Sequence, residues 1–174
     1  NLIKGKLKTT IGLKYYNFNI QTKNAKSLKD FSVIIEDIET TQNKIGYLIA
    51  SRYSITSNFF VKASYERGFR LPEPVEIFGD GLAVYANPEL LPESTNNINL
   101  GLQYKYSKKA KNLKASFNYF VRDVQNYSYK RAYIKGSQFE NALAVFIHGF
   151  EFAIKYQFNK RLEVGGNITR QNVL

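Results

Sequence analysis

Along most of this chain apolar and polar residues alternate, and the alternation is cleanest on either side of one long polar segment. Before that segment, Phe59, Val61, Ala63, Tyr65 and Phe69 share a parity opposed by Lys62, Ser64, Glu66 and Arg70. After it, Ile98, Leu100, Leu102, Tyr104 and Tyr106 oppose Thr95, Asn97, Asn99, Gly101, Gln103 and Lys105. A period of two sends the two sets to opposite faces of a strand. The two runs therefore predict one large antiparallel hairpin with a long connecting loop. A half-buried soluble sheet produces this pattern, and so does the wall of a transmembrane barrel.

The same pattern recurs on both sides of the hairpin. Leu7, Thr9, Ile11, Leu13 and Tyr15 predict a first strand ending near Ile20, and Ile45, Tyr47, Ile49, Tyr53 and Ile55 a second. Between them, 21–44 reads as a polar loop holding a short strand at Phe31–Ile35. Beyond the hairpin, Leu113, Ala115, Phe117, Tyr119 and Val121 mark another strand, followed by a second long loop over 123–141. The strongest signal is Phe146, His148, Phe150, Phe152, Ile154, Tyr156 and Phe158; a last strand carries Leu162, Val164 and Ile168. The expectation is an all-β fold of about seven antiparallel, up-and-down strands.

Short turns near Ser57, Ala110 and Lys160 alternate with long loops centred near Ser32, Leu82 and Ala132. Turns at one end and loops at the other are the plan of a large outer-membrane barrel. The predicted strands suit the ~9–11 residues of a tilted span better than the ~5–6 of a soluble sheet. Tyr104, Tyr106, Tyr156 and Phe158 at strand ends suit an aromatic girdle. The alternative is a soluble lipocalin-like barrel or sandwich.

Composition narrows the chemistry. The 174 residues open at Asn1 and contain neither methionine nor cysteine, so a piece of a longer chain is expected and thiol chemistry is excluded. The longest apolar run, Ala142 to Ile147, is far short of a spanning helix. All four prolines fall between Leu71 and Pro92, and 13 Tyr with 13 Phe favour strands. The net charge is +11, but the lysines are scattered with no basic block, so no nucleic-acid partner is expected. His148 has apolar parity between Phe146 and Phe150, and no Ser–Asp set accompanies it. Glu36, Asp37 and Glu39 read as solvated loop acids. No enzyme activity, cofactor or metal site is expected.

The hairpin loop reads FRLPEPVEIFGDG and then ANPELLPESTNNINLGL. It resembles the TonB-dependent receptors of Gram-negative outer membranes. The residues carrying the resemblance are Phe69, Arg70, Pro72 and Glu76, then Asn87, Pro88, Leu90, Pro92 and Glu93, with Gly101 in the returning strand. Asn99 stands where the family has Glu, and HGFEFAIKY repeats a Gly-x-Glu pattern at Gly149 and Glu151.

The resemblance implies that residues 1–174 are part of a transmembrane barrel, the plug domain and other strands lying elsewhere in the protein. It implies energised import of a scarce nutrient such as a ferric siderophore, haem or cobalamin. The partners would be the TonB complex through the plug, outer-membrane lipid and lipopolysaccharide, and the nutrient itself. The motif is expected to be structural, with Arg70 pairing with Glu93, and Gly101 and Gly149 are expected to leave room for the plug. Lys62, Glu66, Gln103, Lys114, Arg122 and Glu151 should face the lumen, and Phe117, Phe150 and Phe152 lipid. Cargo contact is expected at Tyr127, Tyr129, Lys130, Arg131 and Tyr133, where aromatic faces and cations suit an anionic chelate. A non-importing barrel (structural, adhesive or porin) and a soluble β-sheet binding module are the alternatives.

Overall fold

The computed structural model describes residues 5–29, 32–109 and 111–174. Phe31 and Ala110, placed above in a short strand and a turn, lie outside the described residues, as does the side chain of Glu36. In chain order the elements are β1 (Leu7–Lys29), β2 (Ser32–Ser54), β3 (Phe59–Arg70), α1 (Pro74–Phe78), β4 (Val84–Tyr85), β5 (Glu93–Lys108), β6 (Lys111–Tyr133), β7 (Gly136–Gln157) and β8 (Glu163–Val173). Seven strands build one wall in the order β1-β2-β3-β5-β6-β7-β8, every neighbour antiparallel. The eighth, β4, is a two-residue strand inside the hairpin loop. It pairs in parallel with β7, an exception to the up-and-down plan. The sheet curls into a half-barrel.

Register makes the wall two-faced. Leu7, Tyr53, Val61, Leu102, Phe117, Phe152 and Ile168 lie directly opposite one another across all seven wall strands. The next row over the same strands is Lys8, Arg52, Lys62, Gly101, Asn118, Glu151 and Thr169. Side chains opposite one another share a face, so the apolar row lies wholly on one side and the polar row wholly on the other. The apolar face has no second layer: Ile11 and Leu13 are 74% and 81% exposed, and Phe117 stacks on Phe150 with ring centroids 6.1 Å apart.

Two expected loops are strands. Residues 21–29 and 32–44 are the described outer half of the β1–β2 hairpin, with the run 32–35 inside β2, and 123–141 is most of the outer half of β6–β7. Their polar residues pair across the ladder: Asn43 Oδ1 accepts from Tyr15 and Asn17 at 2.7 and 2.8 Å, and Gln21 donates to Glu39 at 2.7 Å. With no continuous apolar surrounding along one face, nothing forces apolar residues onto one parity, so the alternation fades while the pairing continues. Asn24 takes a left-handed conformation (φ 57°) at a register shift between Thr22 and Ala25, and Asp37 accepts its N–H at 3.0 Å.

Of the three expected long loops, 71–92 is the one that leaves the ladder, and it is folded back onto the wall. Ile77 of α1 and Ala86 pack against Ala25 and Ile38, joined by Phe18, Ile20 and Phe78. This cluster under the hairpin tips is the buried core. Ala86 donates its N–H to the Lys26 carbonyl at 2.7 Å on one side, while Val84 and Tyr85 pair with Ser137 and Gln138 on the other. One short segment thus links β1 to β7, which are separated in the wall by β2, β3, β5 and β6.

Candidate functional site

The motif residues gather where β3 and β5 end and the loop begins. Arg70, last in β3, donates to both oxygens of Glu76, Nη1 to Oε2 at 3.0 Å and Nη2 to Oε1 at 3.2 Å. Its Nη2 also reaches Glu93 Oε1, first in β5, at 3.0 Å. A planar guanidinium can satisfy two carboxylates at once, which an ammonium does less well. The expected Arg70–Glu93 pair therefore exists, but Glu76 is its third member. Glu76 is 5% exposed and sits in α1, which opens with Pro74; Glu76 Oε2 accepts the Glu73 N–H at 2.7 Å. Ser128 of β6 closes the knot, its N–H on Glu93 at 2.8 Å and its hydroxyl on Glu76 at 3.4 Å.

The second half of the motif fastens the loop to β7. Asn87 Nδ2 donates to the Phe139 carbonyl at 2.7 Å, and Asn87 Oδ1 accepts the Glu89 N–H at 3.1 Å, a turn that Pro88 continues. Leu90 is 1% exposed, and Pro72 and Pro92 are buried. Asn141 accepts the Leu91 N–H at 2.8 Å and donates to the carbonyls of Leu91 and Asn126 at 3.1 and 2.7 Å. Gln138, also buried, donates to the Ala86 carbonyl at 2.6 Å. Phe69 meets Tyr16 edge-on. Gly101 stands apart, out on the polar face of β5.

Gly101 and Gly149 do not open space in the wall. A Cβ at Gly101 would lie 2.6 Å from Asn118 Oδ1, and one at Gly149 would strike the Arg170 carbonyl and come 2.8 Å from the Phe120 ring. The small residues accommodate neighbours on the adjacent strands.

The expected cargo residues are divided between two faces. Tyr127, Tyr129, Arg131 and Tyr133 share one parity of β6, and Lys130 lies on the other with its ammonium 5.9 Å from the Phe139 ring centroid. Glu140 of β7 draws three of them together: Tyr129 and Arg131 donate to it at 3.2 Å each, and Tyr133 donates as well. Burial pushes the Glu140 carboxyl up, but these donors outweigh it and hold the group below the ordinary range. Sequence reasoning missed Glu140, Ser128 and Asn141. Each acts across a strand pair or a long chain separation, which residue spacing does not encode. It also missed Asp80, whose Oδ1 accepts the N–H groups of Leu82, Ala83 and Val84 at 2.8 Å each; Asp80-Gly81 was a readable turn signal. His148 lies beside the Phe146 ring, 3.3 Å from Asn172 Nδ2. Among the described residues no group of three His, Cys, Asp or Glu is placed to hold a metal ion.

A curled antiparallel sheet with an apolar outer face, a polar inner face and short turns at one end is the wall of a large β-barrel. The chain belongs to the TonB-dependent receptor family, whose model "TonB dependent receptor-like, beta-barrel" matches residues 2–173. That family consists of transport receptors. Comparison with curated proteins returned no match. Among solved structures, the copper transporter OprC aligns over 98% of this chain and 27% of its own, with TM-score 0.77 and 16% identity. The Serratia marcescens hemophore receptor HasR, solved with its hemophore HasA and heme, aligns over 98% and 32%, with TM-score 0.72 and 18% identity. The siderophore receptor PirA of Pseudomonas aeruginosa aligns over 95% and 32%, with TM-score 0.64 and 17% identity. Identities this low establish a shared fold. The chain spans about a quarter to a third of the chains it matches.

Proposed function

We propose that this chain is one third of the barrel of an outer-membrane import receptor, whose plug domain and remaining strands complete it. The receptor takes up a scarce nutrient, a ferric siderophore, haem or cobalamin, with energy delivered by TonB through the plug. The observation that carries this reading is the unbroken seven-strand row of apolar residues backed by a polar row. A soluble sheet would need a second layer over the apolar row, whereas lipid covers it in a membrane. The hairpin tips and the tethered loop then face the medium, where the outer-face groups meet lipopolysaccharide, and the short turns face the periplasm.

In this reading Arg70, Glu76, Glu93, Asn87 and Leu90 hold the loop, while Tyr127, Tyr129, Lys130, Arg131 and Tyr133 contact cargo near the hairpin tip. The test uses the full-length protein in its own cells, with and without a working TonB. A heat-modifiable outer-membrane band and a growth requirement for both receptor and TonB on one iron or cobalamin source are expected. A soluble protein, or uptake indifferent to TonB, sinks the reading. Tyr129→Ala with Arg131→Ala should raise the half-saturating nutrient concentration without lowering the amount of receptor; unchanged uptake removes these residues from the cargo site.

A further inference from the structure

On the inner face, within three residues of the short-turn end of their strands, stand six cations: Lys8, Arg52, Lys62, Lys105, Lys114 and Lys155. They form two ranks. Lys8, Arg52 and Lys62 are directly opposite one another on β1, β2 and β3, and Lys105, Lys114 and Lys155 on β5, β6 and β7. Phe60 lies between the ranks, 8% exposed, with the Arg52 guanidinium 3.8 Å and the Lys105 ammonium 5.9 Å from its ring centroid. Like charges facing each other across strands oppose pairing. The carboxylates on this part of the inner wall are Glu151 and Glu163. Of these six cations only Lys155 has an ion pair among the described residues, with Glu163 at 2.7 Å. Arg52 Nε is buried and makes no hydrogen bond.

We infer that this cationic belt seats an acidic protein surface, the face that the barrel-filling domain of the full receptor turns toward the periplasmic mouth. This rests on the transport reading above. The belt covers six neighbouring strands, about 24 Å at ~4.8 Å per strand, too broad for one small nutrient but matched to the face of a domain. An acidic surface there cancels the repulsion within each rank and supplies acceptors for the unpaired guanidinium and ammonium groups.

The test is made on the full-length receptor in liposomes, with a protease site placed between the barrel-filling domain and the barrel. After cleavage, release of the freed domain is measured as sodium chloride rises from ~0.1 to ~1 M, which shortens the screening length from about 10 to about 3 Å. Release should grow with salt. Removing three charges together (Lys105→Gln, Lys114→Gln and Lys155→Gln) should raise release at the lower salt by about fivefold. The same number removed from the turn, Lys108→Gln, Lys109→Gln and Lys111→Gln, should leave it unchanged. Equal release from both variants overturns the inference, as does release driven by inorganic phosphate at constant ionic strength, the mark of a small-anion site. If the belt variant loses its heat-modifiable fold, the wild-type salt series decides alone. A wild-type barrel that leaks without any domain in it overturns the transport reading too, whereas a sealed barrel indifferent to salt overturns only the belt.

Discussion

Glu76 is the residue on which the loop's attachment turns, a carboxylate almost out of water and held on both oxygens by Arg70. Arg70→Met would strand it, and the loss should be about 2 kcal/mol, tempered because the Arg70 side chain is itself 42% exposed. Arg70→Lys should recover only part, one ammonium serving two carboxylates poorly. Urea unfolding of the barrel in lipid checks both. Gly79 is a second fixed point. With φ 70° and ψ −172° it occupies a region open essentially to glycine alone, and a Cβ would run into the Val84 carbonyl. Gly79→Ala should cost about 2 kcal/mol or more and loosen α1, seen as faster proteolysis of 71–92.

Asp80 gives the loop a pH dependence. The N–H of Val84 first, then those of Leu82 and Ala83, favour its ionised form and lower its pKa. A lowered carboxyl stabilises the fold fully above its unfolded value, about 3.9, and the contribution is lost as pH falls through the folded value. Amide exchange at 82–84, corrected for intrinsic rate, should lose protection below about pH 4, and Asp80→Asn should flatten that dependence. At this scale the sequence disclosed local chemistry and little else. Arg70 and Glu93 could be matched because they end paired strands, whereas Ser128 reaches Glu76 from 52 residues away.

Among the strands, alternation was readable only where the two faces meet different surroundings. β3 begins and ends where the pattern does, at Phe59 and Arg70, because one side carries the apolar row of the wall and the other the polar row. β1 and β6 continue past the pattern, to Lys29 and Tyr133, because their outer halves meet water and, at Ala25 and Ser128, the folded-back loop, so neither face must be apolar throughout. The same asymmetry makes substitutions in one strand unequal. Phe150→Arg on the apolar face should cost ~2–4 kcal/mol at mid-bilayer, while Ala153→Ser on the polar face should be nearly silent. Equal losses in reversible unfolding from lipid would reverse the assignment of faces.

For the whole molecule, charge is where the linear reading and the folded chain part most. Lysines scattered along the sequence become neighbours at the short-turn end. Meanwhile the described carboxylates other than Glu151 and Glu163 lie from Glu66 toward the hairpin tips. A count of +11 conceals this division, because strand reversal brings every second connection to the same end. The tether between β1 and β7 was equally hidden: it depends on Ala86 meeting Lys26 and on Val84 meeting Ser137. It also governs where the protein can change length. At the tip, Ile134 is fully exposed and Lys135 is exposed, and an inserted peptide tag there should be tolerated, detectable on intact cells without loss of the folded protein. The same tag between Val84 and Ala86 should abolish the folded band. If the tips face the medium as proposed, a lineage under attack by phage or antibody can escape by rewriting them, while the stretch from Leu71 to Pro92 stays a fixed target.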